Sequence, residues 1–379
     1  MSANFLNQNK LKVTTGFSGG LAALEFALKY ENMKHEIVFA CEFDKYARKQ
    51  YLKFHNEPKT FYKDIRDLKA IKYLDQIDLF VWGSPCQDLS LAGKRKGFNG
   101  DKSYLFREGA RVQFEMKPNI FIFENVKGLL SSNKGVDYKE VCDTFRKQGY
   151  HIVTLQMNTK DYGIPQNRER IFIVGFLDVN KYHNYKEPKP FKLEKRLKDI
   201  LETNVDEKYY LSEKMVQGFM NTPSDWQGKF KVKNLEKDFY ANCINTVEGN
   251  RRTDNYIKVG YINQDTQASQ VFSSLGICPT LNAGSKGYSQ GYVEDIKLEQ
   301  GGGNTIPKIK TKSNIRRLTP RECFRLQGVK DEDINIVVSD TQAYKIAGNA
   351  ISVNVMQYLL KSLFGKSEVN TSIFDFVGV

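Results

Sequence analysis

Cys86 follows Ser84 and Pro85 at the end of the apolar run Asp78-Leu79-Phe80-Val81-Trp82, and Lys94, Arg95 and Lys96 come shortly after it. A cysteine acts as a nucleophile when it is accessible and its thiolate is favoured, and nearby cations favour the thiolate. An inert strand-end cysteine is the plainer reading of these few residues alone, and with no histidine in view a thiol protease is a poor fit. Glu124 stands just past Phe121-Ile122-Phe123. A partly buried carboxyl at a strand end holds its proton more readily and can give it to a ring nitrogen; a capping or ion-paired acid is the competing reading. Arg168 and Arg170 alternate into the run RIFIVGF, so their side chains share one face. Their planar forks suit carbonyl or phosphate oxygens, although ordinary surface arginines give the same pattern.

A second set of residues sketches a nucleoside pocket. GFSGG, residues 16–20, separates a strand pattern from a helix pattern, and glycines there let the backbone approach a ligand closely. Glu42 closes the run EIVFACE in the place where an acid commonly binds ribose hydroxyls. Phe43 beside it offers a ring to a purine face, and Asp64 offers an acceptor to an adenine amino group. Each of these alone is a common turn residue.

The elements that must carry these groups are legible. LKVTTGF, EIVFACE, IDLFVWG, NIFIFEN, HIVTLQMN and RIFIVGF read as strands. LAALEFALKY, DKYARKQYLKF, SYLFREGARVQFEM and DYKEVCDTFRKQG, which lie between them, have helical spacing. Such alternation predicts an α/β fold, Rossmann-like and doubly wound, on a mostly parallel sheet covered on both faces. Ligands of such sheets sit at the carboxyl ends of the strands. The alternation stops after Gly175. From about 179 to 315 the chain is polar, aromatic and asparagine-rich, which predicts a smaller, mostly irregular or β domain. Helical patterns return in PRECFRLQG and TQAYKIAGNAISVNVMQYLLKSLF. The predicted division is 1–178 with 340–379 as one domain, discontinuous in sequence, and 179–339 as the other.

Composition limits the classes. Fifty-seven Lys and Arg against 44 Asp and Glu leave a net charge of +13, which suggests an anionic partner such as nucleic acid. That surplus is spread along the chain, so a binding patch has to be assembled in space. Six scattered cysteines without a CxxC pair and four isolated histidines argue against a disulfide framework or a metal centre. There is no run of about 18 apolar residues and no apolar leader, so a cytoplasmic protein without a membrane span is expected.

A thiol, a proton donor and a guanidinium at neighbouring strand ends, beside a nucleoside cofactor, suggest one reaction: addition of a thiolate to C6 of cytosine, followed by alkylation at C5. At this point the chain resembles the DNA cytosine-5 methyltransferases of bacterial restriction-modification type. GSPCQ with SLAGKRKGF is similar to their catalytic loop, FENV to the segment of the catalytic glutamate, and DYGIPQNRERIFIVGF to the arginine motif. RRLTPRECFRLQG (Arg316, Pro320, Glu322, Arg325) and AYKIAGNAISVNV resemble the last two motifs, and CEFDKYA and KDI the cofactor segments. The first motif departs from the family's Phe-x-Gly-x-Gly, since Leu21 stands where the second glycine is usual.

The resemblance implies the class I fold that binds S-adenosyl-L-methionine. Catalytic roles pass to Cys86, Glu124, Arg168 and Arg170. Cofactor contacts pass to Phe17, Gly19, Glu42, Phe43, Asp64, Ile65, Pro85, Leu105, Asn349 and Ala350, and DNA contacts to Gln87, Ser90, Arg95 and Thr280, with no metal. It further implies double-stranded DNA as partner, a flipped target cytosine, a monomer, and a possible cognate restriction endonuclease. An RNA (tRNA) cytosine-5 methyltransferase is the first alternative. A non-catalytic DNA-binding relative and a dinucleotide oxidoreductase are weaker ones, because neither uses PCQ, ENV and RER together.

Overall fold

The six predicted strand runs join one short strand in a seven-stranded sheet. It contains β1 (Leu11–Gly16), β2 (His35–Cys41), β3 (Phe61–Tyr62), β4 (Leu79–Trp82), β5 (Ile120–Val126), β6 (His151–Asn158) and, after the two-residue β7 (Gln166–Asn167), β8 (Glu169–Phe176). The strand order is β3-β2-β1-β4-β5-β8-β6. In this computed structural model the described residues are 10–84, 103–210, 258–261, 270–273, 278–279, 292–294 and 315–365.

The pairs from β3 through β5 are parallel, as βαβ alternation requires. β8 departs from that rule. It inserts between β5 and β6 and runs antiparallel to both. β6 can feed β8 directly, since antiparallel neighbours need only a short connection. The consequence is chemical: the start of β8, with its arginines, lies beside the carboxyl end of β5.

Helices α1 (Ala23–Tyr30), α2 (Lys45–Phe54), α3 (Ser103–Met116) and α4 (Val136–Lys147) follow the predicted pattern, and α5 (Val179–Asn184) comes after β8. Alternate strand residues feed two separate cores. Val13, Leu79, Val81, Ile120, Ile122, Phe172 and Val174 face one, with Phe26 and Leu28 of α1. Phe39, Phe80, Trp82, Phe121, Phe123, Ile171 and Ile173 face the other, with Val112 and Phe145. Burying each of these large side chains contributes roughly 1.5–3 kcal/mol, so residues of both parities must be apolar in the central strands. That is why Glu124 stands out: it is the first polar residue after four buried apolar ones in β5.

Residues on both sides of position 340 enter the first core. α6 (Pro320–Leu326), α7 (Asp340–Asn349) and α8 (Val353–Phe364) supply Phe324, Leu326, Ala343, Ala347, Met356 and Leu360, and Leu197, Ile200 and Tyr209 join them. α6 starts with Pro320 and a capping box in which Thr319 and Glu322 exchange hydrogen bonds. Glu322 also accepts from the Glu202 amide. Arg325 ties the Asp331 carboxylate (2.6 Å) and the Ile200 carbonyl (2.8 Å). Pro320, Glu322 and Arg325 of the predicted recognition motif thus brace this helix.

A second sheet, in the order β13-β12-β10-β9, contains β9 (Lys258–Tyr261), β10 (Gln270–Ser273), β12 (Tyr292–Glu294) and β13 (Ile315–Arg317). β11 (Cys278–Pro279) pairs in parallel with β7, which ends immediately before Arg168. Among the described residues no helix is long and apolar enough to cross a membrane.

Candidate active site

Glu124 and Arg170 form an ion pair at the open end of the sheet. Arg170 lies opposite Val126 in the β5–β8 register, and Glu124 opposite Phe172. The two are therefore diagonal neighbours on one face, a separation that a long side chain bridges. Arg170 Nε reaches Glu124 Oε1 at 3.1 Å, and both side chains are at least four-fifths buried. Burial raises the Glu124 carboxyl above the ordinary range, while the Arg170 and Arg168 guanidiniums pull it back. The result is a carboxyl whose proton is retained more easily than in water, held in one orientation.

The end of β4 abuts this pair. Trp82 is anchored by its indole N–H to Gln113 on α3 (2.9 Å). At Gly83, next in the chain, a Cβ would stand 3.0 Å from both the Glu124 carbonyl and its Oε2. A side chain there would crowd both oxygens, so the bare Gly83 backbone suits this close approach. Cys86 lies three positions further on, outside the described residues, as do Pro85, Gln87, Ser90 and Arg95. Thr280, one position past β11, is also outside them.

Arg168 is 2% exposed and does a different job from Arg170. Its Nη2 donates to the Gly348 (3.0 Å) and Ala350 (2.6 Å) carbonyls, and its backbone N–H donates to Asn158 Oδ1 (2.9 Å). One guanidinium thereby fixes the segment carrying Asn349, which is exposed, and Ala350, which is half-buried. A buried polar network extends the clamp. Gln327 Nε2 donates to the Ala347 carbonyl (2.6 Å), Ser352 Oγ donates to Gln327 Oε1 (2.9 Å), and Ser352 pairs with Thr159 (2.8 Å).

The turn after β1 forms the floor of a crevice. Gly19 adopts φ 68°, and a Cβ there would meet nothing within 4 Å, so space opens directly above its backbone. Its N–H donates to Glu42 Oε2, and the Asp44 N–H to Glu42 Oε1, both at 2.8 Å. Each carboxylate oxygen keeps a lone pair for a further donor. Burial pushes the Glu42 carboxyl up, against these two amides. Phe43 is 74% exposed, an apolar ring left open beside the crevice. Asp64 is held by Arg66 Nε (2.9 and 3.0 Å), and that guanidinium keeps its carboxyl below the usual range. Ile65 is buried, and Leu105 and Phe17 are half-buried against the same core. Open backbone, ribose-type acceptor, bare ring and fixed carboxylate fit an adenosyl group.

The altered first motif has a structural answer. Leu21, in place of the usual glycine, is fully buried, and the left-handed conformation falls on Phe17 (φ 57°), Gly19 (φ 68°) and Ala22 (φ 51°). The Leu21 carbonyl is gripped by His55 Nε2 at 2.9 Å. Sequence reading overlooked His55, Ser18, Asn158, Gln327 and Ser352. Ser18, Gln327 and Ser352 lay inside quoted motifs; His55 and Asn158 carry no local signal.

This geometry defines a class: a doubly wound α/β fold with an open turn after β1 and an acid–guanidinium pair at adjoining strand ends, a fold shared by solved methyltransferases. The Entamoeba histolytica methyltransferase EhMeth shares the fold with a TM-score of 0.65 at 19% identity, covering 94% of this chain and 98% of that one. The S. pombe Dnmt2 methyltransferase does so at 0.63 and 19%, covering 93% and 98%. Residues 17–365 match the model of the C-5 cytosine-specific DNA methylases, and the chain belongs to that family. Among its relatives are the orphan methyltransferase M.SPRI of Bacillus phage SPR (31% identical, covering 93% of this chain and 97% of that protein) and the type II methyltransferases M.Bsp6I of Bacillus sp. strain RFL6 (33%; 87% and 91%) and M.HhaI of Haemophilus parahaemolyticus (30%; 88% and 89%).

Proposed function

We propose that this protein methylates C5 of a cytosine in double-stranded DNA, as the modification partner of a restriction system. The observation that carries the reading is the buried Glu124–Arg170 pair pressed against Gly83, at the threshold of the segment that holds Cys86. S-adenosyl-L-methionine, bound over Gly19, Glu42, Phe43 and Asp64, would supply an electrophilic methyl group.

The target ring has to leave the duplex, because its C6 face is stacked there. Arg170 then holds the base while Glu124 gives its proton to N3. The Cys86 thiolate forms a bond to C6, and the C5=C6 electron pair becomes nucleophilic at C5. C5 would then take the methyl group, and the donor's sulfur would keep the electron pair of the bond it gives up. Loss of the C5 proton to a base turns the C5–H electron pair into the new double bond and expels the thiolate, while N3 returns its proton to Glu124; the former π pair stays in the C5–methyl bond. Gln87, Ser90, Arg95 and Thr280 are the proposed DNA contacts, and residues 179–339 the recognition domain and hinge. The net charge of +13 supports a polyanionic substrate whose binding weakens steeply with salt.

The test is a duplex carrying 5-fluorocytosine, which has no C5 proton to lose. A covalent adduct mapped to Cys86 is expected, and Cys86→Ala should trap nothing while still binding cofactor. Methyl label that enters tRNA and never duplex DNA would overturn the choice of substrate.

A further inference from the structure

A buried carboxyl that the proposed reaction does not use lies under the crevice floor. Glu25, in the first turn of α1, is 4% exposed. Its Oε1 accepts from the Tyr51 hydroxyl of α2 at 2.8 Å. Its Oε2 is buried without a hydrogen-bond partner, and the Thr15 hydroxyl of β1 stands beside the carboxyl. From Thr15 a chain of hydroxyls leads into the turn. Thr15 Oγ1 is 2.7 Å from Ser18 Oγ, and Ser18 Oγ bridges the Cys41 carbonyl and the Cys41 N–H, each at 3.1 Å. The next residue is Gly19, whose N–H holds Glu42.

We infer that Glu25 is a positioning residue for the cofactor turn, and that it anchors the turn as a neutral acid. In that state Oε2–H donates to Thr15, Thr15 donates to Ser18, and Ser18 donates to the Cys41 carbonyl, so every hydroxyl in the chain has one direction. Ionised, Glu25 only accepts. Thr15 then turns its proton toward the carboxylate, Ser18 turns toward Thr15, and the Cys41 carbonyl loses its hydroxyl donor. The inference deepens the reading of this crevice as an S-adenosyl-L-methionine site and rests on it.

Burial raises the Glu25 carboxyl to about 7, with the Tyr51 hydroxyl, its own amide and the Thr15 hydroxyl pulling the other way. The groups facing it are Tyr51 from α2, Thr15 from β1 and its own amide. His55 lies behind Tyr51 with ring centroids 5.2 Å apart, and burial lowers it to about 4, so it is uncharged over the relevant range. The competent fraction therefore falls from about nine-tenths to about one-tenth between one unit below and one unit above that value, weakening cofactor binding about tenfold.

The test measures two quantities across that range: affinity for S-adenosylhomocysteine by calorimetry, and hydrogen exchange at the Ser18 and Gly19 amides without ligand. Glu25→Gln, whose amide copies the neutral acid, should hold tight binding and protection at both ends. Tyr51→Phe should move the midpoint to higher pH, because it removes the bond that lowers the carboxyl. A wild-type profile retained in both variants would overturn the inference. If the exchange profile changes as described while no variant binds the ligand, the anchoring stands and the cofactor reading falls.

Discussion

Arg170 Nε stands 3.1 Å from Glu124 Oε1, although 45 residues separate them in the chain and neither is the other's direct cross-strand partner. The contact exists because β8 runs antiparallel beside β5. A parallel strand in that position would carry the arginines to the far end of the sheet.

Glu124→Gln should lower methyl transfer by roughly 10²–10⁴-fold, the usual range for one general acid, with DNA and cofactor binding kept. Single-turnover rates on duplex DNA measure this. Burial raises the Glu124 carboxyl, so its acid form persists to higher pH than in water, and the rate should fall as pH rises through that value. The same sign applies to stability: the unfolded chain gives up this proton at lower pH, so the group's contribution weakens between the ordinary and the raised value. Unchanged turnover in the variant would remove the assigned role.

Arg170→Ala should cost on the order of 10²-fold in rate, and should also move the alkaline limb to higher pH. Arg170 is the strongest influence lowering the Glu124 carboxyl against burial, so removing it favours the acid further. A limb that stays in place or moves down would contradict the pairing.

Arg168→Met should destabilise the fold by about 2–4 kcal/mol, because two carbonyls, at Gly348 and Ala350, lose their buried donor. Cofactor affinity should fall with stability, since Asn349 sits between those carbonyls. Paired melting and binding measurements check this, and a variant as stable as the parent would show that the clamp is dispensable.

Phe43→Ala should behave in the opposite way. The ring is 74% exposed, so melting should hardly change. Cofactor binding should weaken by about 1–3 kcal/mol if the ring stacks on a base. Equal affinity in the two proteins would exclude that contact.

Much of this was written locally. Four consecutive buried apolar residues in β5 announce a strand covered on both faces, and the polar residue that ends the run must emerge at the carboxyl edge; that logic found Glu124. The helix patterns behind α1 to α4 were equally plain, since a period of three to four residues depends only on neighbours. Short motifs then marked Arg168, Arg170, Glu42, Phe43 and Asp64.

Strand order was decided elsewhere. No periodicity says that β8 slips between β5 and β6, because local patterns fix which face a residue takes and are silent on which strand lies next to it. The Arg168 grip on Ala350, 182 residues away, and the Gln327–Ser352–Thr159 network arise only when distant segments share one core. Glu25 makes the point most sharply. In the sequence it is an ordinary acid in a helix's first turn; only the packing of α2 and β1 around it removes water, and the removal of water is what turns a surface charge into a buried proton.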